Sequence, residues 1–489
     1  MESAGHASIL RSSFRASDLL HISTRGEASP LTFTDALLAG LARDGGLYVP
    51  GSWPTLAPET IASFAGRSYA AVAKSVLGAL VGDEFPAVEL GRAVDEAYGT
   101  FRHPAVCPLV QIGNNLFVQE LFHGPTLAFK DVAMQLLGRL MDDALAVRGQ
   151  RATIVGATSG DTGSAAVAAF AGSPRVDVFI LYPHGRVSEV QRRQMTSVPD
   201  GNVHAIAIDG TFDDAQALVK AMFGNDRFRD EMQLSGVNSI NWARVAAQAV
   251  YYFTAAVALG APHRPVSFSV PTGNFGDVLA GYVAKRMGLP VERLGIATNS
   301  NDILPRTLAT GTYDVRGVVP TTSPSMDIQV SSNFERLLFE AHGRDAGAVR
   351  RLMAGLAQSR SFTIGDAPLA AIRRDFDASS VSEDEVGAEI ARVWREAGYL
   401  VDPHTAIGIR AARRQLENDP ATPVVALSTA HPAKFPDAVE RATGQHPPLP
   451  PHLADLMGRP ERLTHLPNDA GAIERFIRQE ARAVTGRAA

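Results

Sequence analysis

Amine chemistry has few possible bearers in this chain. Of its 46 basic residues only five are lysines: Lys74, Lys130, Lys220, Lys285 and Lys434. Arginine stays protonated at any workable pH, whereas a lysine amine can lose its proton and attack a carbonyl. Lys130 stands in ELFHGPTLAFKD (residues 120–131), immediately before a helical pattern over residues 132–140. The partial positive charge of a helix N-terminus disfavours an ammonium group, and Phe122, Leu127 and Phe129 could desolvate it further. A Schiff-base lysine needs that setting, although spacing alone suits an ordinary surface lysine at a helix start at least as well. Lys74, Lys220 and Lys285 lie in helical patterns with no chemical motif beside them.

Two glycine-rich turns could hold anions. GATSGDTGS (residues 156–164) offers backbone amides with Thr158, Ser159 and Thr162 to a phosphate or carboxylate. It lacks the Gly-Lys-Ser/Thr ending of a nucleoside-triphosphate loop and the spacing of a dinucleotide loop. PTGNFGD (residues 271–277) is the second turn. Either alone could be a tight strand-to-helix connection. Two of them at strand C-termini in one sheet fit a ligand with two anionic ends. NSINWAR (residues 238–244) sets Arg244 near Asn238 and Ser239, a group able to receive a second phosphate or carboxylate, or simply to pack on a surface. Ser428 and Thr429 follow an apolar run, where a neutral hydroxyl could bond a ring nitrogen or cap a helix before Pro432.

The elements that must position these groups alternate along the chain. Short apolar runs at residues 152–156, 176–181, 203–208, 266–270, 294–297 and 424–427 read as strands. Helical patterns follow at residues 164–171 and 278–287. That alternation predicts an α/β protein with parallel sheet covered on both faces. The segment before Phe101 is mainly helical in pattern and reads as a separate N-terminal unit. HPPLPP (residues 446–451) breaks regular structure, and a short helical tail is expected after it.

Composition narrows the function classes. A net charge of −5 without a basic block argues against a nucleic-acid binder. No apolar run approaches the ~20 residues of a membrane helix. One cysteine, Cys107, cannot form an intrachain disulfide or a cysteine-rich zinc site, so a reducing, cytoplasmic setting is expected. The histidines show no metal-ligand spacing, and a structural role is expected for His123. Residues 1–20 read as an N-terminal extension.

Taken together, these blocks resemble the threonine synthases, pyridoxal-phosphate enzymes of the tryptophan synthase β-like fold. The resemblance also runs through STRG (23–26), DGGLYVP (44–50), SPSMDIQVSSNFERLL (323–338), DPHTAIG (402–408) and STAHPAKFPD (428–437). It matches the longer form of the family, with an extended N-terminal domain. It implies two parallel-sheet, three-layer lobes over residues 101–445, a mainly helical domain over 21–100 and a tail over 446–489.

By resemblance, Lys130 holds pyridoxal 5'-phosphate as a Schiff base and moves protons. Gly273, Asn274, Phe275, Gly276 and Asp277 would form the cofactor-phosphate loop, and Thr429 would bond the pyridine nitrogen. Thr158, Ser159 and Thr162 would hold the substrate carboxylate, while Asn238, Ser239 and Arg244 would hold the substrate phosphate. Lys434, near the ring by resemblance, is the second candidate for the reactive amine. Asp161 is placed in the substrate loop where many relatives carry an asparagine that donates to the ring oxygen. An ionised carboxylate cannot donate, so its role stays open. The activity implied is conversion of O-phospho-L-homoserine to L-threonine and phosphate. The nearest rival is a phospho-lyase releasing 2-oxobutyrate, ammonia and phosphate from the same substrate. A small-molecule substrate is thus implied, with no nucleic acid or membrane partner, and with monomer and homodimer both open.

Overall fold

The computed structural model describes residues 19–482, so most of the expected N-terminal extension lies outside the described residues. Two sheets organise the chain. The larger runs in the order Phe376–Ser380, Val291–Thr298, Val266–Pro271, Val424–Ser428, Leu116–Glu120 and Leu109–Gly113. Only its last pair is antiparallel. The second runs Thr464–Leu466, Val203–Ile208, Val176–Pro183, Ala152–Ala157 and Leu234–Ser235, all parallel.

Burial on both faces explains why the central strands read as continuous apolar runs. All eight residues of Val176–Pro183 are buried. Asp177, inside that strand, is paired with Arg482, whose Nε donates at 2.6 Å and whose backbone N–H donates at 2.9 Å. The helix Trp242–Ala258 is buried on nearly every side, as expected of a helix apolar all round. It packs against Lys130–Arg148, Gly276–Arg286 and the N-terminal helix Tyr69–Val81.

The N-terminal unit is mainly helical, with Phe33–Ala39, Pro58–Ala62, Tyr69–Val81 and Ala87–Tyr98. Its two short strands, His21–Ser23 and Tyr48–Pro50, pair antiparallel and join the STRG and DGGLYVP blocks. The tail differs from expectation. It carries a helix, Ala470–Glu480, but also the strand Thr464–Leu466 on the edge of the second sheet. Ile473 and Ile477 of that helix are wholly buried beside Phe179 and Ile206. Among the described residues no helix is long and apolar enough to cross a membrane.

The two glycine turns stand in different sheets, not in one. GATSGDTGS follows Ala152–Ala157 of the second sheet, and PTGNFGD follows Val266–Pro271 of the first. The site therefore lies between two lobes, each contributing the C-terminal end of a parallel strand.

Candidate active site

Lys130 opens the helix Lys130–Arg148 and is buried. The loop before it is held by Asp131, whose carboxylate accepts from the Thr126 N–H at 2.8 Å and hydroxyl at 2.7 Å. Burial pushes that carboxyl up to about 6 despite these bonds. Gly124 is obligatory here, because a Cβ would stand 2.4 Å from the Asp131 Cβ. His123 lies apart from the amine chemistry: its Nε2 bonds Glu120 at 2.6 Å. Burial is the main cause that lowers Lys130 from the usual lysine value. Asp161 opposes it, while Lys434 and Arg244 add to it.

The second-sheet loop ends on Asp161, first residue of the helix Asp161–Phe170. Its Oδ1 accepts from Lys434 Nζ and Gln191 Nε2, each at 2.8 Å. Its Oδ2 accepts from Ser325 at 3.1 Å and Lys130 at 3.4 Å. Burial alone would raise this carboxyl, but Lys434, then Lys130 and His404, hold it well below the carboxylate range. In this arrangement Asp161 serves as an acceptor toward its four neighbours. Thr158 is buried and braces the loop, its hydroxyl accepting from Gly160 at 2.9 Å and Gly163 at 2.8 Å. Those two amides are consumed, while Ser159 and Thr162 are partly exposed at the loop surface.

The first-sheet loop turns through Phe275, which has φ of 65°. Its ring packs on Phe334 and Phe376, anchoring the turn from inside. Gly273 is pressed close, since a Cβ there would meet the Ser325 carbonyl at 2.9 Å. Asn274 is exposed at the tip, and the helix Gly276–Arg286 begins directly after. Its first amides lack carbonyl partners within the helix, which makes an anion cradle. The Asp277 side chain faces the core instead. Tyr251 and Tyr252 both donate to it, the latter at 3.0 Å, and burial raises its carboxyl to about 7.

Arg244 lies in the first turn of Trp242–Ala258 and is buried. One nitrogen donates to the Val237 carbonyl at 3.1 Å, while Nε is buried without a partner. Desolvation brings the guanidinium down to about 10. An unpaired buried donor suits an anion arriving from outside the protein. Asn238 is exposed and Ser239 half-buried on the approach. Thr429 is buried beside the lysine loop, its carbonyl accepting from Phe129 N–H at 2.8 Å. No α-helix is capped there; His431 caps the short 3-10 turn Pro432–Lys434.

Sequence reasoning missed the bracing between these pieces. Ser331 donates to the Gly273 carbonyl at 2.7 Å. Asn333 donates to the Ser239 carbonyl at 3.0 Å and the Asn274 carbonyl at 3.1 Å. Arg336 bonds the Ile240 carbonyl at 2.7 Å. All three residues sit in the SPSMDIQVSSNFERLL block, recognisable in sequence but without an assignable job. Gln191, which reaches Asp161, had no signal beyond its place in a polar helix.

A buried amine between an ionised carboxylate, an anion cradle and an unsatisfied arginine fits a phosphate-bearing aldehyde cofactor. Comparisons with known proteins agree. A family model described as Threonine synthase N terminus matches residues 20–98, one described as Pyridoxal-phosphate dependent enzyme matches 107–430, and one described as Threonine synthase, C-terminal matches 405–477. Threonine synthase of Pseudomonas aeruginosa is 54% identical over 460 residues, spanning 94% of this chain and 98% of that protein. The crystal structure of pyridoxal-phosphate-bound threonine synthase from Brucella melitensis superposes with a TM-score of 0.93 at 62% identity, covering 95% of this chain and 100% of that one. Yeast threonine synthase superposes at 0.90 with 39% identity, covering 95% and 99%. The chain belongs to the threonine synthase family, pyridoxal-phosphate-dependent lyases of the tryptophan synthase β-like fold.

Proposed function

We propose that this chain takes O-phospho-L-homoserine and water to L-threonine and phosphate, with Lys130 as the amine that holds the cofactor. The observation that carries the reading is the buried Lys130 amine set between two lobes with Arg244 close enough to act on its charge. When bound, pyridoxal phosphate supplies an aldehyde that captures the substrate amine and a conjugated ring that spreads the charge left at Cα. The amides over Gly273, Asn274, Phe275, Gly276 and Asp277 would hold its phosphate, and the Thr429 hydroxyl its ring nitrogen. A neutral hydroxyl leaves that nitrogen largely unprotonated and moderates the charge sink.

The protein's own groups then divide the labour. Amides and hydroxyls at Ser159 and Thr162 orient the substrate carboxylate on a loop braced by Thr158. Arg244, with Asn238 and Ser239, receives the substrate phosphate. Lys130, once displaced by the substrate amine, accepts the proton from Cα. A second proton leaves Cβ and phosphate departs from Cγ, where the preorganised Arg244 charge favours the leaving group. Cγ gains a proton to become the methyl, water adds at Cβ, and Lys130 returns a proton to Cα. Burial excludes stray water until that step. A buried lone thiol, Cys107, is compatible with a cytoplasmic enzyme.

The test is incubation of the purified, cofactor-loaded chain with O-phospho-L-homoserine, following phosphate and threonine together. Equal amounts of both are expected. Phosphate accompanied by 2-oxobutyrate and ammonia, without threonine, would replace this reading with that of the phospho-lyase.

A further inference from the structure

Two buried lysines share one carboxylate in the site, and they share it unequally. Lys434 Nζ stands 2.8 Å from Asp161 Oδ1, against 3.4 Å for Lys130 Nζ and Oδ2. Lys434 is completely buried and gives a second hydrogen bond to the Thr126 carbonyl at 2.8 Å. It is thereby tied to the lysine loop as well as to the second-sheet loop. Lys130 retains some exposure toward the cleft. The firm ion pair belongs to the lysine that solvent and ligand cannot reach.

The remaining charged groups around Lys130 do not take the place of Lys434. Arg244, from Trp242–Ala258, adds positive charge. Asp277, from Gly276–Arg286, is engaged by Tyr251 and Tyr252. Asp131, from the lysine's own helix, is engaged by Thr126. His404, from Pro403–Asn418, bonds Asp402 at 2.6 Å. Without Lys434, the only cation among the described residues in ion-pair contact with Asp161 would be Lys130.

We propose that Lys434 is the dedicated counter-ion of Asp161, a positioning residue that occupies the carboxylate so that the Lys130 amine is held only by its longer contact and stays reactive. The inference rests on Lys130 being the reactive amine, and it deepens that reading. Its sign follows from Coulomb's law. A bare Asp161 carboxylate would stabilise the Lys130 ammonium and raise its pKa, whereas removing Asp161 would leave Lys130 facing Lys434 and Arg244 and lower it.

The test is competitive acylation of the full-length chain freed of cofactor, with Lys130 modification followed by mass spectrometry across a pH series. In Lys434→Met the apparent pKa of Lys130 should rise by about one unit or more, slowing acylation near neutral pH roughly tenfold. Asp161→Asn should shift it downward, the double variant should return it toward wild type, and Lys434→Arg should leave it in place. A purely structural role for Lys434 would move the melting temperature but not this profile. An unchanged profile in folded Lys434→Met overturns the proposal. Should that variant fail to fold, an unchanged profile in Asp161→Asn does so instead. A separate measurement guards the underlying reading: covalent uptake of pyridoxal phosphate by Lys130→Ala would remove Lys130 as the cofactor lysine while leaving the acylation result intact.

Discussion

Asp277 illustrates how a residue inside the proposed cofactor loop can serve the fold by its side chain. Its carboxyl, raised from 3.8 to about 7 chiefly by burial, holds a proton that the unfolded chain gives up. Stability is therefore lost as pH rises from about 4 to about 7, and the penalty is full above that. Asp277→Asn should abolish this dependence, gaining on the order of 4 kcal/mol over wild type at pH 8 and little at pH 4. Thermal melts at both values check it, and an equal gain at both would sink the idea. Arg244 makes the complementary case. Arg244→Ala should raise KM for O-phospho-L-homoserine by about tenfold or more, as loss of a charge-assisted contact implies, with cofactor uptake unchanged. An unaltered KM would take Arg244 out of the phosphate site. Both residues were visible in sequence as members of motifs. The orientation of Asp277 was not, because Tyr251 and Tyr252 come from another helix. The pairing of Asp161 with Lys434 was hidden for the same reason, since the two are far apart in the chain.

At the scale of elements, the buried strands were legible because parallel sheet covered on both faces leaves an unbroken apolar run. Residues 203–208 match the observed strand Val203–Ile208, and residues 152–156 match Ala152–Ala157 to within one residue. Among the strands that escaped notice, Leu116–Glu120 is interior to the larger sheet, but two of its five residues are only partly buried. Leu109–Gly113 is a half-exposed edge, and Phe376–Ser380 reads FDASS, with little apolar signal. The assignment of the two glycine loops to separate sheets was equally illegible, because strand order is fixed by long-range packing. The bracing block at residues 323–338 gives this scale its own prediction. Asn333 ties the Ser239 and Asn274 carbonyls, so Asn333→Ala should loosen both proposed anion-binding loops together. KM for the substrate and the dissociation constant for pyridoxal phosphate should each rise, by about five- to tenfold for a lost buried hydrogen bond or two. Steady-state kinetics and equilibrium dialysis measure the two effects. A change in one constant without the other would show that Asn333 serves a single loop.

For the whole molecule, the question is what the N-terminal unit does for a site it does not line with catalytic groups. Its contacts answer in part. Thr24 donates to Glu335 at 2.6 Å, and Arg25 grips the same carboxylate through Nε at 3.1 Å and Nη2 at 2.9 Å. The next residue, Arg336, spans from the Tyr48 carbonyl at 2.9 Å to the Ile240 carbonyl at 2.7 Å. Asn241 donates to the Leu37 carbonyl at 2.8 Å. The unit is thus fastened at the two segments that brace the proposed substrate-phosphate approach at residues 238–244. Glu335 is buried, so truncating it leaves Thr24 and Arg25 without their acceptor inside the interface. Glu335→Ala should cost about 1–2 kcal/mol of docking energy, because Thr24 loses a buried acceptor while the partly exposed Arg25 can turn to solvent. If docking supports the site, amide exchange should quicken across the strands His21–Ser23 and Tyr48–Pro50, and KM for O-phospho-L-homoserine should rise while the bound-cofactor absorption stays as in wild type. Faster exchange with unchanged KM would mean that the N-terminal unit stabilises the fold without tuning the site, because Thr24 and Arg25 would have been released without the proposed phosphate approach responding.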